Sequence, residues 1–307
     1  MPNLRTKKIF IDGSSGTTGL QIYDRLKQRD DIQILEISEQ DRKDINVRKK
    51  FFSEADIVFL CLPDAAALEA VTLAENENTV IIDTSTAHRV SEGWAYGMPE
   101  LKSQREIIKN SKRIANPGCH ASGVIALVAP LVENKILSPD EKLSCFSITG
   151  YSGGGKKMIA EYEAQDRNIL LDAPRQYALS QNHKHLPEIK KFCGLNYAPI
   201  FCPIVADFYS GMEVTVPLHD VDIKKIREVY ENYYRSGVIK FNNDNNENFL
   251  SASAFSGRDD MEITVSGNDE RVLLIARFDN LGKGASGAAV QNMNLVMGVD
   301  EFKGLNI

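Results

Sequence analysis

Ile9-Phe10-Ile11-Asp12-Gly13-Ser14-Ser15-Gly16-Thr17-Thr18-Gly19 is the stretch on which the fold turns. A short apolar run ends in glycines spaced three apart, and helix-forming residues follow from about Thr17 to Lys27. Strand, tight turn and helix in that order bring backbone N–H groups and the positive end of a helix dipole to a pyrophosphate. The spacing Gly-x-x-Gly-x-x-Gly departs from Gly-x-Gly-x-x-Gly, so the placement at the first strand carries the nucleotide reading rather than the pattern itself. Gly13, Ser14, Ser15, Gly16, Thr17, Thr18 and Gly19 are its candidate cofactor-binding residues. The plainer alternative is a glycine turn that only lets the helix pack on the sheet.

The alternation continues outward from this unit. Ile32–Ile37, Asp56–Cys61, Thr79–Asp83 and Arg113–Ala115 read as strands, and the Ala-rich segment Ala65–Ala74 reads as a helix with Asp64 as its N-cap. Continuous apolar runs are expected of strands covered on both faces, which predicts an α/β domain on a parallel sheet. After about residue 140 strands follow one another with fewer helices between: Leu143–Thr149, Ile200–Val205, Met212–Leu218, Met261–Val265 and Arg271–Phe278, with a helix at Asp222–Tyr234. This predicts a second, α+β domain on a largely antiparallel or mixed sheet. Asn242–Asn248 is the most loop-like stretch, and the small-residue helix Ser286–Met297 is expected to return to the first domain. The expected organisation is 1–118 plus 285–307 for one domain and 119–284 for the other.

Composition bounds the function. The 307 residues are 43% hydrophobic and 25% charged, as in a soluble folded protein of about two domains. With 36 Lys and Arg against 42 Asp and Glu, and no concentrated basic face, nucleic-acid binding is disfavoured. No run approaches a membrane span and no signal peptide is evident, so a cytoplasmic location is expected. Five cysteines with no Cys-x-x-Cys spacing fit a reducing compartment.

One of them stands apart. Cys119 follows Asn116-Pro117-Gly118 and opens the apolar stretch His120–Val128, which puts a thiol at a helix N-terminus, where the thiolate is favoured. Cys61 and Cys145 lie in apolar strands and read as packing residues. In His183-Lys184-His185-Leu186-Pro187-Glu188 two histidines two residues apart share a face if the chain is extended, and are the acid–base candidates. No further ligand stands at a supporting spacing, so no metal is expected. At the end of the second strand Ser38 and Arg42 can hold a 2′-phosphate, favouring NADP, while Glu39 keeps NAD open. Two more glycine clusters, Gly150–Lys157 and Asn280–Gly287, can line a cofactor or an oxyanion, or be ordinary turns.

Taken together, GSSGTTG at 13–19, DTSTAHR at 83–89, NPGC at 116–119, GYSGGGKKMIAEYE at 150–163, HKHLPE at 183–188 and NLGKGASGAAVQNMNLVMG at 280–298 closely resemble the shorter form of the N-acetyl-gamma-glutamyl-phosphate reductase family. The resemblance implies a fold similar to glyceraldehyde-3-phosphate and aspartate-semialdehyde dehydrogenases, with a Rossmann domain, an α+β catalytic and dimerisation domain, and a C-terminal helix returning to the first. It implies NADPH-dependent reduction of N-acetyl-glutamyl 5-phosphate to the 5-semialdehyde in arginine biosynthesis, through a Cys119 thioester, in a homo-oligomer. It also implies roles: His183 and His185 for acid–base work and substrate binding, the assignment between them left open, and Glu188 as an orienting carboxylate. Arg89, Asn116 and Lys156 fall to the substrate, and Leu62, Pro63, Ser152, Gly153, Asn280, Gly282, Lys283 and Gly284 to the cofactor. One departure stands out: the family commonly reads Cys-Tyr-Pro-Thr at the nucleophile, where this chain has Cys119-His120-Ala121-Ser122. Rival readings are a reductase of the same fold for aspartyl or N-acetyl-aminoadipyl phosphate, a redox-sensing nucleotide-binding regulator, and a Cys–His hydrolase.

Overall fold

The computed structural model describes residues 6–235, 237–244 and 247–307. Part of the Asn242–Asn248 loop therefore lies outside the described residues. The first 117 positions give β1 (Lys7–Asp12), α1 (Thr17–Leu26), β2 (Ile32–Leu35), α2 (Ile45–Glu54), β3 (Ile57–Leu60), α3 (Asp64–Val71), β4 (Val80–Asp83), β5 (Ala95–Tyr96), α4 (Gln104–Asn110) and β6 (Arg113–Ala115). Then come α5 (Cys119–Glu133), β7 (Ser144–Gly150), α6 (Gly155–Glu163), β8 (Arg175–Gln176), α7 (Leu186–Cys193), β9 (Ile200–Ala206) and β10 (Met212–His219). The chain ends with α8 (Ile223–Tyr233), β11 (Ile239–Asn242), β12 (Met261–Gly267), β13 (Arg271–Phe278) and α9 (Gly287–Met297).

Two compact units result, one of residues through Pro117 with Ala285–Leu305, the other of Gly118–Gly284 with Asn306–Ile307. The last two residues fall with the second unit because the Asn306 carbonyl accepts from the Asp259 amide, its backbone N–H donates to Asp259 Oδ2, and its side-chain amide donates to the Gly257 carbonyl.

The first unit is a parallel sheet in the order β2-β1-β3-β4-β6-β5. Alternate side chains of its strands point to opposite faces. Ile9, Ile11, Ile57, Phe59 and Ile82 pack with Ile22 and Leu26 of α1, Ile108 of α4 and Ala289, Val290 and Met293 of α9. Phe10, Val58, Leu60 and Ile81 face the other way, against Phe52 of α2 and Ala67 and Ala70 of α3. The two-sided burial explains the continuous apolar runs.

Local details differ from the sequence reading. β2 stops at Leu35, two residues before the expected Ile37. Asp64 does not cap α3, whose N-cap is Pro63; its carboxylate instead accepts from the Thr86 amide and hydroxyl. α2, which the sequence reading left without an element, is capped by Asp44, whose carboxylate accepts from the amides of Asn46 and Val47.

The second unit is a mixed sheet in the order β11-β12-β13-β10-β7-β9-β8, with parallel pairs, among the described residues, at β11–β12 and β7–β9 alone. α5 lies across it, buried continuously from His120 to Leu131. A Cβ on Gly123 would stand 2.5 Å from Val214 Cγ2, so glycine lets the helix settle directly on β10. The hydroxyls of Tyr230 and Tyr234 hold it from the α8 side, donating to the carbonyls of Leu127 and Ala126.

A buried ion pair ties α2 to the end of β1. Arg48 Nη2 stands 2.7 Å from Asp12 Oδ2, and both side chains are nearly enclosed. Burial raises the Asp12 carboxyl, outweighing the opposing pull of Arg48. Arg48→Met removes that pull and is expected to cost about 3–5 kcal/mol of stability at neutral pH. The carboxyl then rises further above its unfolded value, so the loss belongs to pH above the usual carboxylate range and shrinks as acid protonates Asp12. Urea unfolding at pH 7.5 and pH 4.5 checks this; an equal loss at both would contradict it.

Candidate active site

In the first unit the glycine turn is built as the sequence requires. Gly13 has φ +88°, and a Cβ there would sit 2.4 Å from the Cys61 carbonyl oxygen. Gly19 is bare because a Cβ would meet the Gly13 carbonyl at 2.4 Å, which fixes how closely α1 approaches the turn. Gly16 is the N-cap, with no side-chain cap and no acidic residue in the first turn. Ser14, Ser15, Thr17 and Thr18 complete the turn and the start of α1. Uncapped N–H groups at an uncharged helix start suit an anionic phosphate, so these residues fit a dinucleotide.

The neighbouring groups are arranged as follows. Arg42 Nη1 donates to Ser15 Oγ at 3.3 Å and pairs with Glu39 at 3.4 Å, so the guanidinium reaches the glycine turn. The Ser38 hydroxyl donates to Asp41 at 2.7 Å. Because β2 ends early, the first side chain past it is Glu36, which accepts from the Tyr23 hydroxyl at 2.7 Å. The sequence reading missed this residue by extending the strand. Leu62 and Pro63 lie between β3 and α3.

Arg89 is buried, with Nε donating to the Asn116 carbonyl at 3.0 Å and Nη2 to the Thr84 carbonyl at 3.2 Å. Asn116 donates to the Ala285 carbonyl at 2.9 Å and accepts from Asn292 Nδ2 at 3.3 Å. Both residues therefore brace the β4 and β6 ends. His88 reads as a satisfied buried histidine: its Nδ1 is 2.7 Å from Asp83 Oδ2 and its ring stacks on Trp94 at 3.9 Å.

In the second unit Cys119 is the first residue of α5 and is half-buried. Gly118 is the N-cap, without a side-chain cap, and its N–H donates to Glu188 Oε2 at 3.1 Å. Glu188 is 1% exposed, so a buried carboxylate fixes the turn that carries the thiol. A Cβ on Gly284 would stand 2.9 Å from Cys119 Cβ and 3.0 Å from the Asp279 carbonyl, so glycine is what leaves room for the cysteine side chain. Other thiols are held back by burial, which pushes Cys61 and Cys145 up to about 12 and Cys193 well above its usual value.

His183 and His185 are brought together, though the segment turns into α7 rather than running extended. Their rings lie 4.6 Å apart, and the His185 amide donates to His183 Nδ1 at 3.2 Å. His120 joins them, with ring centroids 5.7 Å from His183 and 5.6 Å from His185. Burial first, then the charges of His183 and Lys184, lowers His120 to about 3, so it is neutral at physiological pH. Among the described residues no group of His, Cys, Asp and Glu is arranged to hold a metal ion.

The remaining glycine clusters pack on one another. Asn280 donates to Ser152 Oγ at 3.0 Å and accepts from the Gly211 amide at 2.8 Å. Gly153 stands open, with Asn280 Nδ2 3.4 Å from the position of a Cβ. Gly282–Ser286 forms a π turn, in which a Cβ on Gly282 would stand 1.9 Å from the Arg258 carbonyl and Lys283 is 2% exposed. Lys156 is exposed in the first turn of α6. Sequence reasoning missed Tyr177 and Ser147, which flank His120. The one available signal was Ser147 itself, a hydroxyl on the inward face of a strand between Cys145 and Thr149.

Comparison with known proteins bears on this arrangement. Residues 8–111 match the family model described as semialdehyde dehydrogenase, NAD binding domain, and residues 119–280 match semialdehyde dehydrogenase, dimerisation domain. The chain is 42% identical to N-acetyl-gamma-glutamyl-phosphate reductase 2 of Nostoc sp., over 97% of this chain and 99% of that one. It is 45% identical to N-acetyl-gamma-glutamyl-phosphate reductase of Chelativorans sp., over 95% and 98%, and 44% identical to that of Brucella ovis, over 95% and 99%. Among solved structures, aspartate semialdehyde dehydrogenase II of Vibrio cholerae matches with a TM-score of 0.73 at 16% identity, over 95% of this chain and 98% of that one. Aspartate semialdehyde dehydrogenase with NADP from Candida albicans matches with 0.69 at 13%, over 95% and 98%. The solved structures share the fold of a Rossmann-type parallel-sheet domain and a mixed-sheet catalytic domain, and the end-to-end sequence identity is more specific: the chain belongs to the N-acetyl-gamma-glutamyl-phosphate reductase family.

Proposed function

We propose that this protein reduces N-acetyl-L-glutamyl 5-phosphate to N-acetyl-L-glutamate 5-semialdehyde with NADPH, releasing inorganic phosphate, as a step of arginine biosynthesis. The observation that carries the reading is Cys119 at the start of a 15-residue buried helix, with Glu188 holding the preceding amide and Gly284 leaving the thiol room. The relatives' names supply the substrate.

Cys119 attacks the acyl carbon as thiolate: a C–S bond forms, the C–O bond to phosphorus breaks, and phosphate departs with the electron pair. The first amides of α5 stabilise the oxyanion. Nicotinamide, when bound, supplies hydride to the thioester carbon. One of His183 and His185 moves the proton as the hemithioacetal forms and releases the aldehyde, and the thiolate is recovered. Glu188 holds the turn through the Gly118 amide. Arg89, Asn116 and Lys156 are the candidates to meet the substrate's anionic groups.

For the cofactor, Gly13–Gly19 would hold the pyrophosphate, and Ser38 and Arg42 the 2′-phosphate. Leu62, Pro63, Ser152, Gly153, Asn280 and Gly282–Gly284 would line the rest.

A second copy of the chain is the proposed partner. Phe146, Ile200 and Leu273 are 47%, 60% and 42% exposed on the sheet face opposite α5, a face suited to packing against its own copy. No described helix is long and apolar enough to cross a membrane. We propose a cytoplasmic location and no nucleic-acid partner, in keeping with the net charge of −6.

Three measurements test the reading. Run backward with phosphate and NADP, the purified protein should prefer N-acetyl-glutamate semialdehyde; a preference for aspartate semialdehyde would overturn the substrate. Cys119→Ser should abolish turnover while calorimetry shows NADP binding unchanged, because a hydroxyl is a far weaker nucleophile at neutral pH. Arg42→Ala should raise the KM for NADPH by about 10–100-fold and leave that for NADH nearly unchanged, and equal losses would remove the 2′-phosphate assignment.

A further inference from the structure

Glu36 is the first residue past β2. That strand pairs with β1 through Ile9 with Ile34 and Phe10 with Leu35, so the next rung sets Glu36 abreast of Ile11, where β1 runs on into the glycine turn. Side chains alternate along a strand, which puts Glu36 on the face of Ile34, the side covered by α1. A cavity of about 160 Å³ opens there, and its polar lining is Ser14, Tyr23 and Glu36. The crevice beyond the carboxyl ends of parallel strands is where such sheets take their ligands.

The carboxylate is tethered. Glu36 Oε1 accepts from the Tyr23 hydroxyl of α1 at 2.7 Å, which leaves Oε2 without a hydrogen-bond partner among the described residues. One residue further along the turn, Arg42 Nη1 donates to Ser15 Oγ at 3.3 Å and shares its charge with Glu39 at 3.4 Å. The glycine turn is thus met by a carboxylate beside Ser14 and by a guanidinium at Ser15. These two charges select different sugars. A ribose 2′-hydroxyl donates to a carboxylate, whereas a 2′-phosphate is repelled by it and drawn to a guanidinium. A site for NADPH alone gains nothing from Glu36, and a site for NADH alone gains nothing from Arg42. We propose that Glu36 is a specificity-determining residue, held by Tyr23 to accept from the ribose 2′-hydroxyl, and that beside Arg42 it lets this enzyme bind NADH as well as NADPH. This rests on the nucleotide reading of the glycine turn and deepens it.

The test is the Kd of NADPH, NADH and 2′-deoxy-NADH for the full chain, read from nicotinamide fluorescence with no acyl phosphate present. In the unmodified chain NADH should bind within about 30-fold of NADPH. Glu36→Gln keeps the shape and the Tyr23 bond but removes the charge. It should weaken NADH by about 3–10-fold, as a charge-assisted bond becomes a neutral one, and tighten NADPH by about 3–10-fold, as the repulsion goes. The loss on replacing NADH by 2′-deoxy-NADH, about tenfold or more in the unmodified chain, should shrink in Glu36→Gln by the factor NADH itself loses. Tyr23→Phe frees the carboxylate and should weaken NADH by about 3–10-fold while NADPH changes by less than about twofold. Damage to the fold would weaken both cofactors together, so the ratio of the two separates positioning from structure.

Equal changes for NADH and NADPH in Glu36→Gln, or an unchanged 2′-deoxy loss, would overturn the contact with the ribose. A gap wider than about 30-fold in the unmodified chain would overturn the use of both cofactors, and an unmoved ratio in Tyr23→Phe would overturn the tether. Failure to bind either cofactor would remove the nucleotide site itself. Failure to reduce any acyl phosphate would instead count against the proposed substrate, with the cofactor affinities still readable.

Discussion

No side chain fits at Gly123, and the seating of α5 depends on that. A Cβ would press on Val214 Cγ2 at 2.5 Å and on Phe278 Cε1 at 2.9 Å, so the helix lies closer to β10 and β13 than an ordinary layer of side chains permits. Cys119 sits one turn earlier and inherits this depth. From it follow the reach of His120 to Ser147, the Gly118 amide over Glu188, and the need for Gly284 opposite the thiol. One bare position sets how deep the helix lies, and another leaves space for the side chain it carries.

The environment then separates one cysteine from three others. Cys145 and Cys193 are buried, which disfavours their charged forms, and at Cys61 desolvation with the negative charges of Asp12 and Asp83 does the same, whereas Cys119 opens a helix and remains half-buried. The polar residues enclosed nearby, Ser147, Thr149, His185 and Glu188, cost desolvation that a purely structural core would avoid. Hydrogen bonds offset part of that cost, and each of those bonds also fixes an orientation.

Much of this was legible in the sequence where local chemistry and fold agree. The β1–α1 turn, the parallel strands and the start of α5 announce themselves through glycine spacing and runs of β-branched residues. What was not legible depends on contacts far apart in the chain. α2 has little apolar periodicity, and its anchor, Arg48, finds Asp12 only in three dimensions. Asp64 looked like a cap because its type and position fit one, yet Thr86 claims its carboxylate from 22 residues away. β2 stops short of its apolar run because its pairing with β1 ends at Phe10 and Leu35, although Ile37 still packs on the α2 and α3 side. The meeting of His120 with Tyr177 spans 57 residues, and no spacing rule foretells it.

The return of α9 to the first unit has a consequence for synthesis. Ala289, Val290, Met293 and Leu295 belong to the interior of a domain whose other segment ends at Pro117. As the polypeptide leaves the ribosome, the domain that includes β1–β6 therefore lacks part of its interior until α9 has emerged. The segment Gly118–Gly284 meanwhile already holds every strand of its own sheet. Domains generally fold as units in the order they are made. Here the order of completion is inverted, and a nascent chain stopped before Gly287 carries every strand of the mixed sheet but a parallel-sheet domain still missing part of its interior.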